Sequence, residues 1–247
     1  MTTLRQNGIP LYHQLKEIFV EKIINGEWPT GEMIPNEAQL CMQYGVSRGP
    51  VRQALEQLVR EGLLARKQGK GTRVLPPKIE RGLSGLYSFT TLIESRGMRH
   101  SARLLAFEQI QAEGSVVRYL ALADREPVFK IRRLRLADDE PLILETVYVP
   151  ERVAPGLNES ELTAAPLYTI LSSHYDVPIV RARQFFEPTV ADDYEARELK
   201  VANGAPVLLV QNITYSTSDR PVVLSKAIMR GDRVRYFVEL SAEIPAR

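Results

Sequence analysis

The sequence predicts an α+β chain in two parts: a small helical unit with a β-wing, then a larger unit around an antiparallel sheet. Three observations predict it. Residues 46–74, VSRGPVRQALEQLVREGLLARKQGKGTRV, pass from an apolar-striped helix through a short strand and a glycine-rich basic loop into a second strand. Residues 75–86, LPPKIERGLSGL, hold two prolines and two glycines, and no helical or strand period survives them. Beyond that break, strand-type runs with interspersed helical runs lack a strict β–α alternation, the mark of an α+β domain. The expected organisation is a first domain over 1–75, a linker over 76–86 and a second domain over 87–247.

The first helix follows Pro10. Leu11, Leu15, Ile18, Phe19 and Ile23 recur at three- and four-residue steps and give one apolar face, and Gly26 suits its end. Pro35 stops the chain before a short second helix. Asn36 and Gln39 have capping-box spacing, and Tyr44-Gly45 closes the helix. Ser47 is placed to cap a third helix by accepting a hydrogen bond from a backbone N–H one turn in. Pro50 is tolerated there because N–H groups of a first helical turn have no intrahelical partner. Val51, Leu55, Leu58 and Val59 form the apolar stripe, and Gly62 ends the helix. The segments LLARK and TRVLP then read as two strands joined by Gln68-Gly69-Lys70-Gly71, where the glycines let the loop turn tightly and its backbone approach a groove.

Helix, glycine turn, helix and basic wing together are the winged helix-turn-helix arrangement, in which the second helix of the motif lies in the major groove of a DNA duplex. The charge distribution agrees. Residues 1–75 carry ten Lys/Arg and seven Asp/Glu, while the rest of the chain carries 22 and 23. Within 46–74 the bases are Arg48, Arg52, Arg60, Arg66, Lys67, Lys70 and Arg73, against Glu56 and Glu61 alone. A solvated surface would also explain such a cluster; the wing and the capped helix are what direct it at phosphates.

The 247 residues have the apolar, charged and aromatic fractions of an ordinary soluble globular protein. The single cysteine, Cys41, excludes an internal disulfide framework and fits a reducing compartment. No apolar run approaches the roughly 18 residues needed to span a membrane, and MTTLRQNGIPLYHQL lacks the plan of a secretion signal. The expected location is the cytoplasm, with no membrane partner. His13, His100 and His174 form no metal-ligand spacing with one another or with Cys41, and no phosphate loop or Gly-x-Ser-x-Gly elbow occurs. Neither a metal nor a cofactor is expected.

In the second domain, PVFKIRRLRLADDEPLILETVYVP gives two strands around a turn at Asp138-Asp139-Glu140-Pro141. PIVRARQFFEPTVA, PVLLVQNITYS, PVVLSKAIM and RVRYFVEL give four more. EGSVVRYLAL, APLYTILSSHYDV and DDYEARELKVA read as helices. Arg133 and Arg135 are two apart on a strand and so share a face. Two readings stand: a solvated face with acids nearby, or an anion site in which paired guanidiniums hold a carboxylate or phosphate. Glu145 on the next strand either pairs with an arginine or accepts from a ligand.

The first domain resembles the DNA-binding domain of GntR-family bacterial transcription regulators over its whole length. The resemblance rests on Pro10-Leu11-Tyr12, Gly31, Ile34-Pro35-Asn36-Glu37, Val46-Ser47-Arg48-Gly49-Pro50-Val51-Arg52 and Gly69-Lys70-Gly71-Thr72. It implies phosphate contacts at Ser47 and Arg52, with Gly49 and Pro50 at the same helix start. It implies base reading by Arg48, whose planar fork suits guanine, and entry of Gln68, Gly69, Lys70 and Gly71 into the minor groove. Where the family usually carries Thr, this chain has Pro50, which cannot donate to a phosphate.

The second domain resembles the effector domain of the HutC subfamily, the UTRA domain, with a chorismate-lyase-like fold. Gly97-Met98, IRRLRLADDEP, Glu145 with Tyr148-Val149-Pro150, PLYTIL and MRGDRVRYFVEL carry that likeness. It implies a small-molecule pocket lined by Ser88, Phe89, Thr90, Arg133, Arg135, Glu145 and Tyr168, and a homodimer on a pseudo-palindromic operator. Sugar-phosphate sensors of the subfamily tend to have Ser where this chain has Pro166 and Glu where it has Leu224, which points to a carboxylate or another less polyhydroxylated anion. The function expected is a regulator, most simply a repressor, released from DNA by a small anionic metabolite. The rivals are an enzyme of chorismate-lyase-like fold with a fused winged helix, and a winged helix serving RNA binding or scaffolding.

Overall fold

The computed structural model describes residues 4, 8–67, 69–83, 89–217 and 219–240. They form two compact units: Met1–Ile79 with Gly231–Arg235, and Glu80–Arg230 with Tyr236–Arg247.

The first unit opens with α1 (Leu11–Ile24), whose Leu15, Ile18 and Phe19 are buried at helical spacing. α2 (Glu37–Tyr44) starts on a complete capping box: the Asn36 side chain accepts from Gln39 N–H, and the Gln39 side chain accepts from Asn36 N–H. α3 (Arg48–Arg60) buries Val51, Ala54, Leu55 and Leu58. These stripes meet Trp28, Ile34, Leu40, Leu64 and Val74 in one core, with Phe19 packed on Trp28 at 5.1 Å between ring centroids. β1 (Leu64–Lys67) and β2 (Gly71–Val74) pair antiparallel as the wing, in the register Leu64 to Val74 and Lys67 to Gly71. Cys41 packs on the rim of this core.

One feature of this unit departs from the expected boundaries. The segment Gly231–Arg235, which the sequence reads as a loop running into a strand, belongs to the helical unit. Gly62, at φ +75°, lies so close that a Cβ there would stand 2.1 Å from the Asp232 carbonyl oxygen. Ile79 N–H donates to the Arg233 carbonyl at 2.7 Å, and the Arg233 guanidinium donates to the Pro76 carbonyl at 3.0 Å. The expected linker therefore carries a strand, β3 (Ile79–Gly82), stabilised by a partner more than 150 residues away.

The second unit holds α4 (Phe89–Glu94), β4 (His100–Gln111), α5 (Ser115–Leu120), β5 (Pro127–Ala137) and β6 (Glu140–Pro150). It continues with α6 (Glu159–Ala164), α7 (Leu167–His174), β7 (Ile179–Val190), α8 (Asp193–Leu199), β8 (Pro206–Ser216) and β9 (Pro221–Arg230). A short β10 (Val234–Phe237) returns toward β3, with Leu83 N–H donating to Phe237 O at 3.0 Å. The main sheet has six strands in the order β4-β5-β6-β9-β8-β7, every pair antiparallel. Strand alternation sorts its two faces. Val128, Leu134, Leu144, Ile213 and Leu224 turn to one side, where α5 and α8 cover them. Phe129, Ile131, Val147 and Val149 turn to the other and pack against Leu167, Ile170 and Leu171 of α7. Farther along that second face the covering thins out and a cavity begins.

Candidate nucleic-acid interface and ligand pocket

At the start of α3, Ser47, Arg48, Gly49 and Arg52 are exposed and Pro50 is half-buried. Ser47 has the extended backbone of an N-cap, but its hydroxyl makes no capping bond. The expected cap fails for a local reason: the third helical position is Pro50, which has no N–H to give. The Ser47 hydroxyl is thus left uncommitted by the helix. Among the described residues Arg48, Lys67, Lys70 and Arg73 form no ion pair within 4 Å. Arg52 Nε bonds Glu56 at 3.0 Å, and Arg66 lies 3.6 Å from Glu56 and 3.7 Å from Glu37. Those acids link the wing strand β1 to α2 and α3 through half-exposed pairs that add little stability. Gly69, Lys70 and Gly71 lie exposed at the wing tip. Gln68 and Ser88, both expected site residues, lie outside the described residues.

The cavity of the second unit has a volume of about 360 Å³. Phe89, Arg133, Arg135, Glu145 and Tyr168 all line it, and Thr90 stands beside it, bonded through its hydroxyl to Arg135 at 3.0 Å. Arg133 and Glu145 are direct partners across the β5–β6 ladder, and Arg133 donates to Glu145 Oε2 at 2.7 Å. The same oxygen lies 3.9 Å from Arg135. One carboxylate therefore serves two guanidiniums whose side chains are only 11% and 14% exposed. The pair is enclosed rather than solvated, while the nearby acid of that same reading is present as Glu145. The Nε atoms of both arginines are buried without a hydrogen-bond partner.

Electrostatics follow from that enclosure. Burial pushes the Arg135 pKa down to about 10 against the pull of Glu145, leaving it charged at neutral pH. Burial also penalises the charged Glu145, but Arg133 and Arg135 outweigh it and hold the carboxyl below its ordinary range. His100 sits 3.3 Å from Arg135 and edge-on to Phe89. Burial, Arg135 and Arg133 lower its pKa to about 4, so it is neutral. The Arg135 guanidinium also rests over the Phe89 ring, 5.0 Å from its centroid.

Sequence reasoning missed much of the wall. Arg81, Gln184, Asn212, Ser225 and Tyr236 line the cavity as well. Asn212 and Ser225 were accessible by strand alternation, since each lies two residues from an apolar lining residue, Val210 and Val223 or Ala227. Arg81 lies in the segment read as an aperiodic linker, where no pattern pointed to it. Leu224, by contrast, faces the opposite side of the sheet against α5.

The match to known proteins spans both units. Residues 11–74 match the description "Bacterial regulatory proteins, gntR family", and residues 95–235 match "UTRA domain". The HTH-type transcriptional repressor NagR of Bacillus subtilis (strain 168) is 38% identical over 244 residues, 98% of this chain and 100% of that protein. The histidine utilization repressor of Pseudomonas putida is 32% identical over 228 residues, 92% of this chain and 90% of that one. Among solved structures, PhnF from Mycobacterium smegmatis aligns with a TM-score of 0.66 at 25% identity, covering 95% of this chain and 100% of that chain.

Proposed function

The chain belongs to the GntR family of bacterial regulatory proteins, transcription regulators rather than enzymes, and from that premise we propose that it is a homodimeric repressor released from its operator by a small anionic metabolite. The observation that carries the ligand half of this reading is the enclosed pair Arg133 and Arg135, which line a cavity and, among the described residues, share the one carboxylate of Glu145. A carboxylate or phosphate entering there meets the two guanidiniums and supplies the second negative charge. Thr90 and Phe89 hold Arg135 in place for it. Tyr168 closes the far wall.

The DNA half rests on the exposed start of α3. Arg48 reaches a base edge in the major groove, Ser47 and Arg52 meet phosphates, and the wing tip at Gly69, Lys70 and Gly71 enters the minor groove. The Ser47 hydroxyl, unused as a cap, is available for a phosphate oxygen. Two copies join through their second domains, where the outer strand β7 leaves Phe185 and Val190 exposed. Dimer symmetry then matches the symmetry of the operator.

Fluorescence anisotropy of a labelled duplex from the chain's own promoter, against a scrambled duplex at two salt concentrations, tests the reading. Small carboxylates and phosphate monoesters are then added to the bound complex. The expected result is sequence-specific binding that one class of anion reverses. An Arg133→Ala/Arg135→Ala double variant that still releases normally would refute this pocket.

A further inference from the structure

We infer that β7 is the dimer strand, and that it pairs antiparallel with β7 of a second copy about a two-fold axis at Phe185. This rests on the reading of the chain as a homodimer joined through its second domains, and adds the strand, the register and the residues that meet. β7 runs twelve residues along the rim of the six-stranded sheet, with β8 as its neighbour there. The backbone groups on its far side are a template for another strand, and a long edge that carries apolar side chains is a hazard unless it is covered. Val180, Phe185 and Val190 are exposed on it.

Two prolines fix which backbone groups face outward. Pro188 stands opposite Leu208 in the β7–β8 ladder, and Val190 stands opposite Pro206. Proline has no N–H, so these are the rungs that exchange no hydrogen bonds with β8. Alternation then turns the N–H and C=O groups of Ala182, Gln184 and Phe186 to the open edge. A second β7 bonds them only where even-numbered residues meet even-numbered ones, so the axis passes through a residue and not between two. Side chains choose which residue. An axis at Phe185 sets Phe185 against the partner's Phe185 and Arg183 against the partner's Glu187, and it brings Val180 at the end of the ladder beside the partner's Val190. Like apolar groups and opposite charges then meet across the strands. Within one chain Arg183 and Glu187 are exposed and, among the described residues, form no ion pair within 4 Å. An axis at Gln184 would set Arg183 against the partner's Phe185, and an axis at Phe186 would set Glu187 against it.

The test is sedimentation equilibrium of the full chain, which should be a dimer at micromolar concentration. Arg183→Glu and Glu187→Arg each set like charges across the axis. Each is expected to raise the dimer dissociation constant about tenfold, and the double reversal to restore it. Cross-linking adds the register and is done with Cys41→Ala, which removes the one native thiol. Phe185→Cys is expected to give a disulfide-linked dimer with diamide, because facing residues on a rung without hydrogen bonds have Cα atoms about 4.5 Å apart. Arg183→Cys is expected to stay unlinked, its two copies being four residues, about 14 Å, apart along the strands. The charge reversals lie at exposed positions of the wild-type chain and carry the test if a cysteine variant fails to fold. A dimer indifferent to both reversals, a weakening that the double reversal does not rescue, or linkage through Arg183→Cys and not Phe185→Cys overturns this inference and leaves the homodimer standing. A chain that is monomeric at micromolar concentration overturns the homodimer reading and this inference with it.

Discussion

The two units use the same residue type in opposite ways. In the first, Arg52 has 64% of its side chain exposed and shares an acid on its own helix. In the second, Arg133 and Arg135 are enclosed and depend on one carboxylate. Exposed guanidiniums interact through water and counterions, so their effects are small in stability and strongly dependent on salt. Enclosed ones have lost their hydration, so the fold depends on their partner and any anion that reaches them is held strongly. The lesson is that an arginine's burial, more than its presence in a motif, decides whether it serves the fold, a phosphate backbone or a ligand.

The largest expected break in this contrast is Glu145→Ala. It leaves two buried guanidiniums without their carboxylate and should destabilise the protein by about 3–5 kcal/mol. Urea unfolding measures it, and added inorganic phosphate should restore part of the loss. A change as small as that of a surface pair would mean that water already serves the arginines. Next is Arg48→Ala, expected to lower discrimination between operator and scrambled duplex by about 1–3 kcal/mol while nonspecific binding persists. A uniform loss on every sequence would make Arg48 a phosphate contact instead.

His100 sharpens the description of the buried side. Its pKa is about 4 in the fold against an ordinary 6.5. The unfolded chain therefore binds more protons between those values, and stability present above pH 6.5 is lost as the pH falls toward 4. His100→Gln should flatten the change in urea midpoint between pH 7 and pH 5, a window above the range in which Glu145 takes up its proton; an unchanged slope would show that His100 is accessible to water. The smallest effect belongs to Arg52→Ala. Its i,i+4 pair with Glu56 contributes roughly 0.3–0.5 kcal/mol to stability. The salt dependence of DNA binding should nevertheless fall by about one phosphate contact. A large stability loss there would erase the contrast between the units.

The first unit was more legible than the second. Helical spacing in α1 and α3, the Asn36–Gln39 box and the glycine turns are local signals, and each produced the element it announced. The Ser47 cap failed on an equally local detail, the proline at the third helical position. In the sheet, β5 to β9 alternate well enough to be read, whereas β4 went unread because a register shift between Leu104 and Ala106 breaks its period. The shared face of Arg133 and Arg135 was visible, but their enclosure was not. Arg81 and Asn212 reach the same cavity from positions more than 130 residues apart in the chain.

By itself, then, the sequence determined whatever depends on neighbours within one helical turn or one strand: the winged helix-turn-helix elements, the location of basic charge, the alternating strands and the pairing of two arginines on one face. Only the tertiary structure decided that β3 forms against Arg233, that Gly231–Arg235 seats on Gly62, that Glu145 and Asn212 line one cavity, and that His100 meets Arg135. The physical reason is range. Period and capping are set by bonds a few residues apart, while a pocket is set by which strands of an antiparallel sheet lie side by side, an order that residue spacing does not encode.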